Sequence, residues 1–177
     1  DRDMSLVYSG TRIFGTVKRT DLDEPVSGEF GIMVVNLFNA GGDHIHEAGT
    51  NSAGQYQFTN LDQATYYVST RNDDGFHSLI NEFWNNQQCQ DNYDPFGNSA
   101  TPVTVTTDNT TIANFELDPG YTISGTISFE GSLSPDGYVH IWNGAGDLVT
   151  TAWNDGGGGW STEILPVDDY YATARGE

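Results

Sequence analysis

Apolar and polar residues alternate along this chain in short runs, and turn-forming Gly, Asn and Asp residues break the runs at regular intervals. Helical periodicity is hard to find. A repeat of two sends successive side chains to opposite faces, so that in Tyr66-Tyr67-Val68 one neighbour fills a core while the next faces outward. The pattern predicts strands at 13–19, 32–39, 44–50, 55–58, 65–71, 101–106 and 111–117. A second series is predicted at 121–129, 138–143, 148–153, 159–163 and 169–174. Many short strands separated by turn residues predict an all-β sandwich or barrel.

The second series repeats the first. Ile13-Phe14-Gly15-Thr16-Val17 matches Ile123-Ser124-Gly125-Thr126-Ile127, and Val35-Asn36-Leu37-Phe38-Asn39 matches Val139-His140-Ile141-Trp142-Asn143. Gly54-Gln55-Tyr56 returns as Gly158-Gly159-Trp160, and Tyr66-Tyr67-Val68 returns as Tyr170-Tyr171-Ala172. The repeat is roughly 105 residues, the size of one sandwich domain. Met4-Ser5-Leu6 leads through Ser9-Gly10 into the first strand, much as Phe115-Glu116-Leu117 leads through Pro119-Gly120 into Ile123. The expected organisation is therefore a last-strand-like segment at 1–10, a whole module at 11–119 and an incomplete one at 120–177. An incomplete sandwich leaves a sheet edge open. Met4, Ser5, Leu6, Val7 and Tyr8 form a candidate donor strand for that edge in a neighbouring copy, a head-to-tail contact that builds filaments. The competing expectation is a slice of a longer array whose neighbours are covalent. The chain begins at Asp1, as a processed product or a fragment would.

Charge narrows the partners. Twenty-five acidic residues against six basic ones give a net charge of -19. Such a surface repels nucleic acid and anionic membranes, and suits a saline or calcium-containing exterior. No apolar run is long enough to span a bilayer, so no direct membrane insertion is expected. Cys89 is the one cysteine, so no disulfide can form within the chain.

Several runs carry a family resemblance: Phe14-Gly15-Thr16-Val17, Glu24-Pro25-Val26-Ser27-Gly28, Val34-Val35-Asn36-Leu37-Phe38, Gly54-Gln55-Tyr56-Gln57-Phe58-Thr59-Asn60-Leu61 and Thr65-Tyr66-Tyr67-Val68. Together with Thr101–Thr106 and Ile112–Leu117, they resemble carboxypeptidase regulatory-like domains and the related Cna B-type repeats of bacterial surface proteins. The resemblance implies tandem transthyretin-like (Ig-like, prealbumin-like) antiparallel β-sandwiches whose shared motifs build fold rather than do chemistry. Relatives often carry a cysteine pair in the insertion that here reads Gln88-Cys89-Gln90, and only Cys89 is present.

Four constellations are candidates for chemistry. Asp21, Asp23 and Glu24 crowd one loop, and Asp73 and Asp74 another; oxygen-rich loops suit calcium, which takes six to eight oxygen ligands. His44 and His46, two apart on a predicted strand, are expected to project from one face and form an alternative metal pair. Lys18 and Asn114 resemble the positions of Lys–Asn isopeptide crosslinks in some B-type domains. Trp84 and Trp153 are the sugar-stacking candidates, whereas Trp142 and Trp160 align with Phe38 and Tyr56 and read as core or half-buried. The sequence carries no nucleophile elbow, phosphate loop or zinc-protease helix, and no enzyme is expected.

The expected function is a non-enzymatic structural segment of an extracellular or cell-surface bacterial fibre, stalk or adhesin. Its expected partners are copies of itself or adjacent modules of the same array. The alternative is a carbohydrate-binding accessory module of a secreted hydrolase, touching polysaccharide.

Overall fold

The computed structural model describes residues 11–26, 33–72, 78–89, 94–107, 109–129, 132–133 and 137–175. It divides into two compact units, Asp1–Pro119 and Gly120–Glu177. The described residues form strands and turns without a helix.

The described residues of the first unit form ten strands: β1 (Arg12–Arg19), β2 (Met33–Phe38), β3 (His44–Gly49), β4 (Gln55–Thr59), β5 (Thr65–Asn72), β6 (Glu82–Phe83), β7 (Gln87–Gln88), β8 (Val103–Thr104), β9 (Thr110–Ile112) and β10 (Phe115–Leu117). One sheet runs β10-β1-β4, with β9 also on β1; the other runs β3-β2-β5-β6-β7, with β8 also on β5. The inward faces supply one core. Ile13 and Val17 come from β1, Val35 and Leu37 from β2, Tyr56 and Phe58 from β4, Tyr66 and Val68 from β5, and Phe115 and Leu117 from β10. Every second residue of β4 is buried, as its alternation requires. Burying each such side chain contributes about 1.5–3 kcal/mol.

Pairing is antiparallel except at one edge of β1, which takes both β9 and β10 in parallel. This departs from the expected all-antiparallel sandwich. Parallel neighbours need a long connection, and here the chain returns to β1 only after the whole stretch from β2 to β8. The predicted strand at 101–106 shortens to β8, and the segment beyond β5 adds β6 and β7, which the sequence pattern does not mark. β6 is held to β5 by a single register pair, Ser69 with Phe83, too short to leave a periodic signature.

The second unit holds β11 (Ser124–Thr126), β12 (Ser128–Phe129), β13 (Ser132–Leu133), β14 (Tyr138–Trp142), β15 (Leu148–Trp153), β16 (Gly159–Ser161) and β17 (Tyr171–Arg175). The predicted strand at 121–129 is thus divided between β11 and β12. β11 pairs with β16, β12 with β13, and β14 lies between β15 and β17. Its buried core is Ile127, Val139, Ile141 and Leu165, with Ile123, Val149, Trp160 and Tyr170 half-buried against them. Among the described residues five apolar side chains are buried here against nineteen in the first unit, which makes this the weaker core.

Local geometry follows the sequence matches. Gly125 faces Trp160 across β11–β16 as Gly15 faces Tyr56 across β1–β4. Both β2–β3 and β14–β15 shift register at the same place, between Leu37 and Phe38 and between Ile141 and Trp142. The Asn39 side chain accepts from the Gly41 and Asp43 N–H groups at 2.8 and 3.0 Å, and Asn143 does so from Ala145 and Asp147 at 3.0 and 2.9 Å. The Tyr66 hydroxyl donates to the carbonyl four residues back, as does Tyr170.

Candidate functional site: a strand slot and an aromatic face

The strand-binding edge of β1 is specified atom by atom. Between β9 and β10 the chain breaks its ladder, and the Ala113 carbonyl drops over Gly15. A Cβ on Gly15 would lie 1.8 Å from that oxygen and 2.7 Å from the Tyr56 ring. Here the glycine is required by close backbone approach. Tyr56 closes the contact by donating its hydroxyl to the Ala113 carbonyl at 2.5 Å, and burial pushes that hydroxyl's pKa well above the usual tyrosine value. The Ala113 N–H donates to the Phe14 carbonyl at 2.9 Å, and Asn114 Oδ1 accepts from the Thr16 N–H at 3.0 Å. Asn114 thereby replaces the backbone acceptor missing at the break.

Among the described residues the corresponding edge in the second unit is open. Among the described residues β11 pairs with β16 alone, and Ser124, Gly125 and Thr126 are all exposed. The nearest atoms to a Cβ on Gly125 belong to the Trp160 ring, at 3.0–3.1 Å. That half-buried side chain can yield by a few tenths of an ångström, so no backbone of the second unit demands the glycine.

A second feature lies on the outer face of β15-β14-β17. Val139 and Ile141 point inward; Tyr138, His140 and Trp142 point outward. Cross-strand register places Trp153, Tyr138 and Arg175 in one row, Thr151, His140 and Thr173 in the next, and Leu148, Trp142 and Tyr171 in the third. Ring centroids lie 5.2 Å apart for Tyr138 and Trp153, 4.8 Å for Tyr138 and His140, and 5.7 Å for His140 and Trp142. Trp142 Nε1 donates to Thr173 Oγ1 at 3.0 Å, and His140 Nδ1 lies 2.9 Å from Thr151 Oγ1. These bonds fix the ring planes. Trp153 is 68% exposed and Tyr171 64%.

The matching face of the first unit is covered. Phe38 is 4% exposed, with its ring 5.8 Å from Phe83, and Tyr67 meets Phe96 edge-on at 5.6 Å. The alignment of Trp142 with Phe38 therefore misleads about exposure. Both point outward, but only Phe38 lies under the segment that follows β5. Tyr138, His140 and Tyr171 are missed in the sequence for the same reason.

The other candidates fall elsewhere. Lys18 Nζ donates to Asp23 Oδ1 at 2.8 Å, while Asn114 is engaged with Thr16, so these two side chains are not brought together. Arg19 grips Asp21 with two bonds of 3.0 and 2.8 Å. The hydrogen bond from Arg19 holds Asp21 below the usual carboxylate range, and that from Lys18 does the same for Asp23. Two carboxylates of the acidic loop thus face cations of β1, and Glu24 stays exposed. Asp73 and Asp74 lie outside the described residues, as does the segment Met4–Tyr8. No group of three or more His, Cys, Asp or Glu side chains is placed to hold a metal among the described residues.

His44 and His46 do not share a face. The register shift pairs Phe38 with His44 and Leu37 with His46, leaving Ile45 as the extra residue. His44 packs edge-on against Phe38 at 5.5 Å, and His46 lies 5.8 Å from Phe58 in the core. A bulge reverses the alternation on which the one-face expectation rests. Trp84 packs half-buried against the first core.

One buried carboxyl stands apart. Glu82 is 7% exposed, and its Oε2 has no hydrogen-bond partner. Burial, reinforced by the Asp118 carboxylate, pushes it up to about 7.

Residues 21–121, more than half of the chain, match the SdrD B-like domain, and the chain belongs to that family. This is the Cna B-type branch of the resemblance seen in the sequence. No curated protein matches. Among solved structures, the TIE protein of Bacillus anthracis aligns over 94% of this chain and 28% of its own, at 13% identity and a TM-score of 0.40. A streptococcal ancillary pilin aligns over 95% and 54%, at 10% identity and 0.43. The full-length major pilin SpaD of Corynebacterium diphtheriae aligns over 93% and 55%, at 9% identity and 0.44. The chain therefore spans about a quarter to a half of these structures.

Proposed function

We propose that the chain is a structural segment of a bacterial surface assembly, built from one whole sandwich module and part of a second, and joined to its neighbours by strand addition. Membership in the SdrD B-like family supports a surface-type structural role. The observation that carries the joining mechanism is the contrast between β1 and β11. One edge holds a strand pressed against Gly15; the other keeps a glycine at the same register and leaves the edge open. A strand added beside β11 supplies hydrogen bonds to the open edge and apolar side chains to the small core cluster of Ile127, Val139, Ile141 and Leu165. Met4-Ser5-Leu6 of another copy, with the apolar-polar-apolar order of Phe115-Glu116-Leu117, is the proposed donor; in the register of β10 on β1 it lies beside Ile127-Ser128-Phe129, which brings residues 1–3 beside β11. Such a contact is head to tail and does not close.

Sedimentation velocity and negative-stain microscopy test this on the whole chain. Wild type should form concentration-dependent linear assemblies. Gly125→Val, which blocks the slot, and Leu6→Asp, which spoils the donor, should each leave monomers with unchanged circular dichroism. A wild-type chain that stays monomeric at the highest attainable concentration would count against strand donation between copies.

A further inference from the structure

We propose that the outer face of β15-β14-β17 binds a glycan chain. This stands apart from strand addition, which uses the β11 edge. The face is striped: a row of Trp153 and Tyr138, a row of Thr151, His140 and Thr173, then a row of Trp142 and Tyr171. From Tyr138 to Trp142 it extends roughly 14 Å, the reach of a short oligosaccharide. Pyranose rings present apolar C–H faces, which stack on the electron-rich faces of indole and phenol rings. Their hydroxyl edges need donors and acceptors between those rings, and the middle row supplies them.

Charge selects the partner further. None of the nine positions on this face is a carboxylate, and Arg175 is the one fixed charge, in a chain of net charge -19. The face therefore suits a neutral polysaccharide and not a cationic partner. It also lacks the continuous apolar centre of a stable protein contact, since Leu148 is the only aliphatic residue among the nine. The rings are held ready by the Trp142–Thr173 and His140–Thr151 bonds, so binding costs little ordering.

Affinity electrophoresis of the whole chain through gels containing xylan or mixed-linkage β-glucan tests the proposal. At least one polysaccharide should retard wild type. Trp153→Ala and Tyr171→Ala should each raise Kd about tenfold or more with no change in melting temperature, while Trp84→Phe in the first unit should leave it unaltered. Three results would overturn the proposal: no retardation by either polymer, retardation that survives both alanine variants, or a Trp153→Ala effect confined to oligomeric state. The last would make a second copy the occupant.

Discussion

Gly15→Ala is expected to destabilise the first unit by about 3–5 kcal/mol, because the added methyl must displace main chain. The new Cβ would sit 1.8 Å from the Ala113 oxygen, so the last strands must move off β1. Three hydrogen bonds depend on that seat: Tyr56 to Ala113, Ala113 to Phe14, and Thr16 to Asn114. Against a typical domain stability of roughly 5–15 kcal/mol, the loss is a large fraction. Urea unfolding followed by far-UV circular dichroism measures it. The matched substitution Gly125→Ala meets only the Trp160 ring and should cost less than about 1 kcal/mol, since it also relieves the entropy penalty of a glycine in a strand. Equal losses at the two positions would show that the β11 edge is already filled.

Glu82 gives the second large effect, and its sign is opposite to that of a paired surface carboxylate. The folded value of about 7 exceeds the ordinary glutamate value of 4.5. Below pH 4.5 the carboxyl is protonated in both states and imposes no penalty. Between 4.5 and about 7 the folded chain retains a proton that the unfolded chain has released, so stability falls as pH rises. Above about 7 the penalty is complete, on the order of 3 kcal/mol. The cause is burial, with a smaller contribution from Asp118. Glu82→Gln should therefore raise the stability of the first unit at pH 8 by about 2 kcal/mol and flatten its dependence on pH between 5 and 7.5. Thermal melts of both proteins across that range decide it. A wild-type melting temperature that climbs steadily from pH 5 to 8 would remove Glu82 from the explanation.

Much of this architecture is written in local pattern. The pairing of Gly15 with Tyr56, and of Gly125 with Trp160, follows from matching runs that read directly off the chain. The Asn39 and Asn143 turns follow from side-chain acceptors at fixed offsets. What local pattern does not carry is anything decided by a distant segment. The parallel seating of β9 and β10 depends on which end of β1 the chain reaches after a long excursion. The division of His44 and His46 between two faces depends on a single inserted residue, Ile45, in an otherwise regular ladder. Whether an outward aromatic is covered, as Phe38 is, or exposed, as on the β14 face, depends on the segment after β5. Trp153 could be singled out in the sequence, but the rows that make it part of a surface needed cross-strand register.

Strand addition at β11 is tested most directly by nuclear magnetic resonance on the isotope-labelled chain, with an unlabelled peptide of residues 1–10 added. Seating of the peptide beside β11 predicts slowed amide exchange at Ser124 and Thr126, whose N–H groups face the open edge while that of Gly125 faces β16, shifted Trp160 resonances, and loss of both changes in Gly125→Val. Unchanged exchange at these two amides under saturating peptide would contradict it.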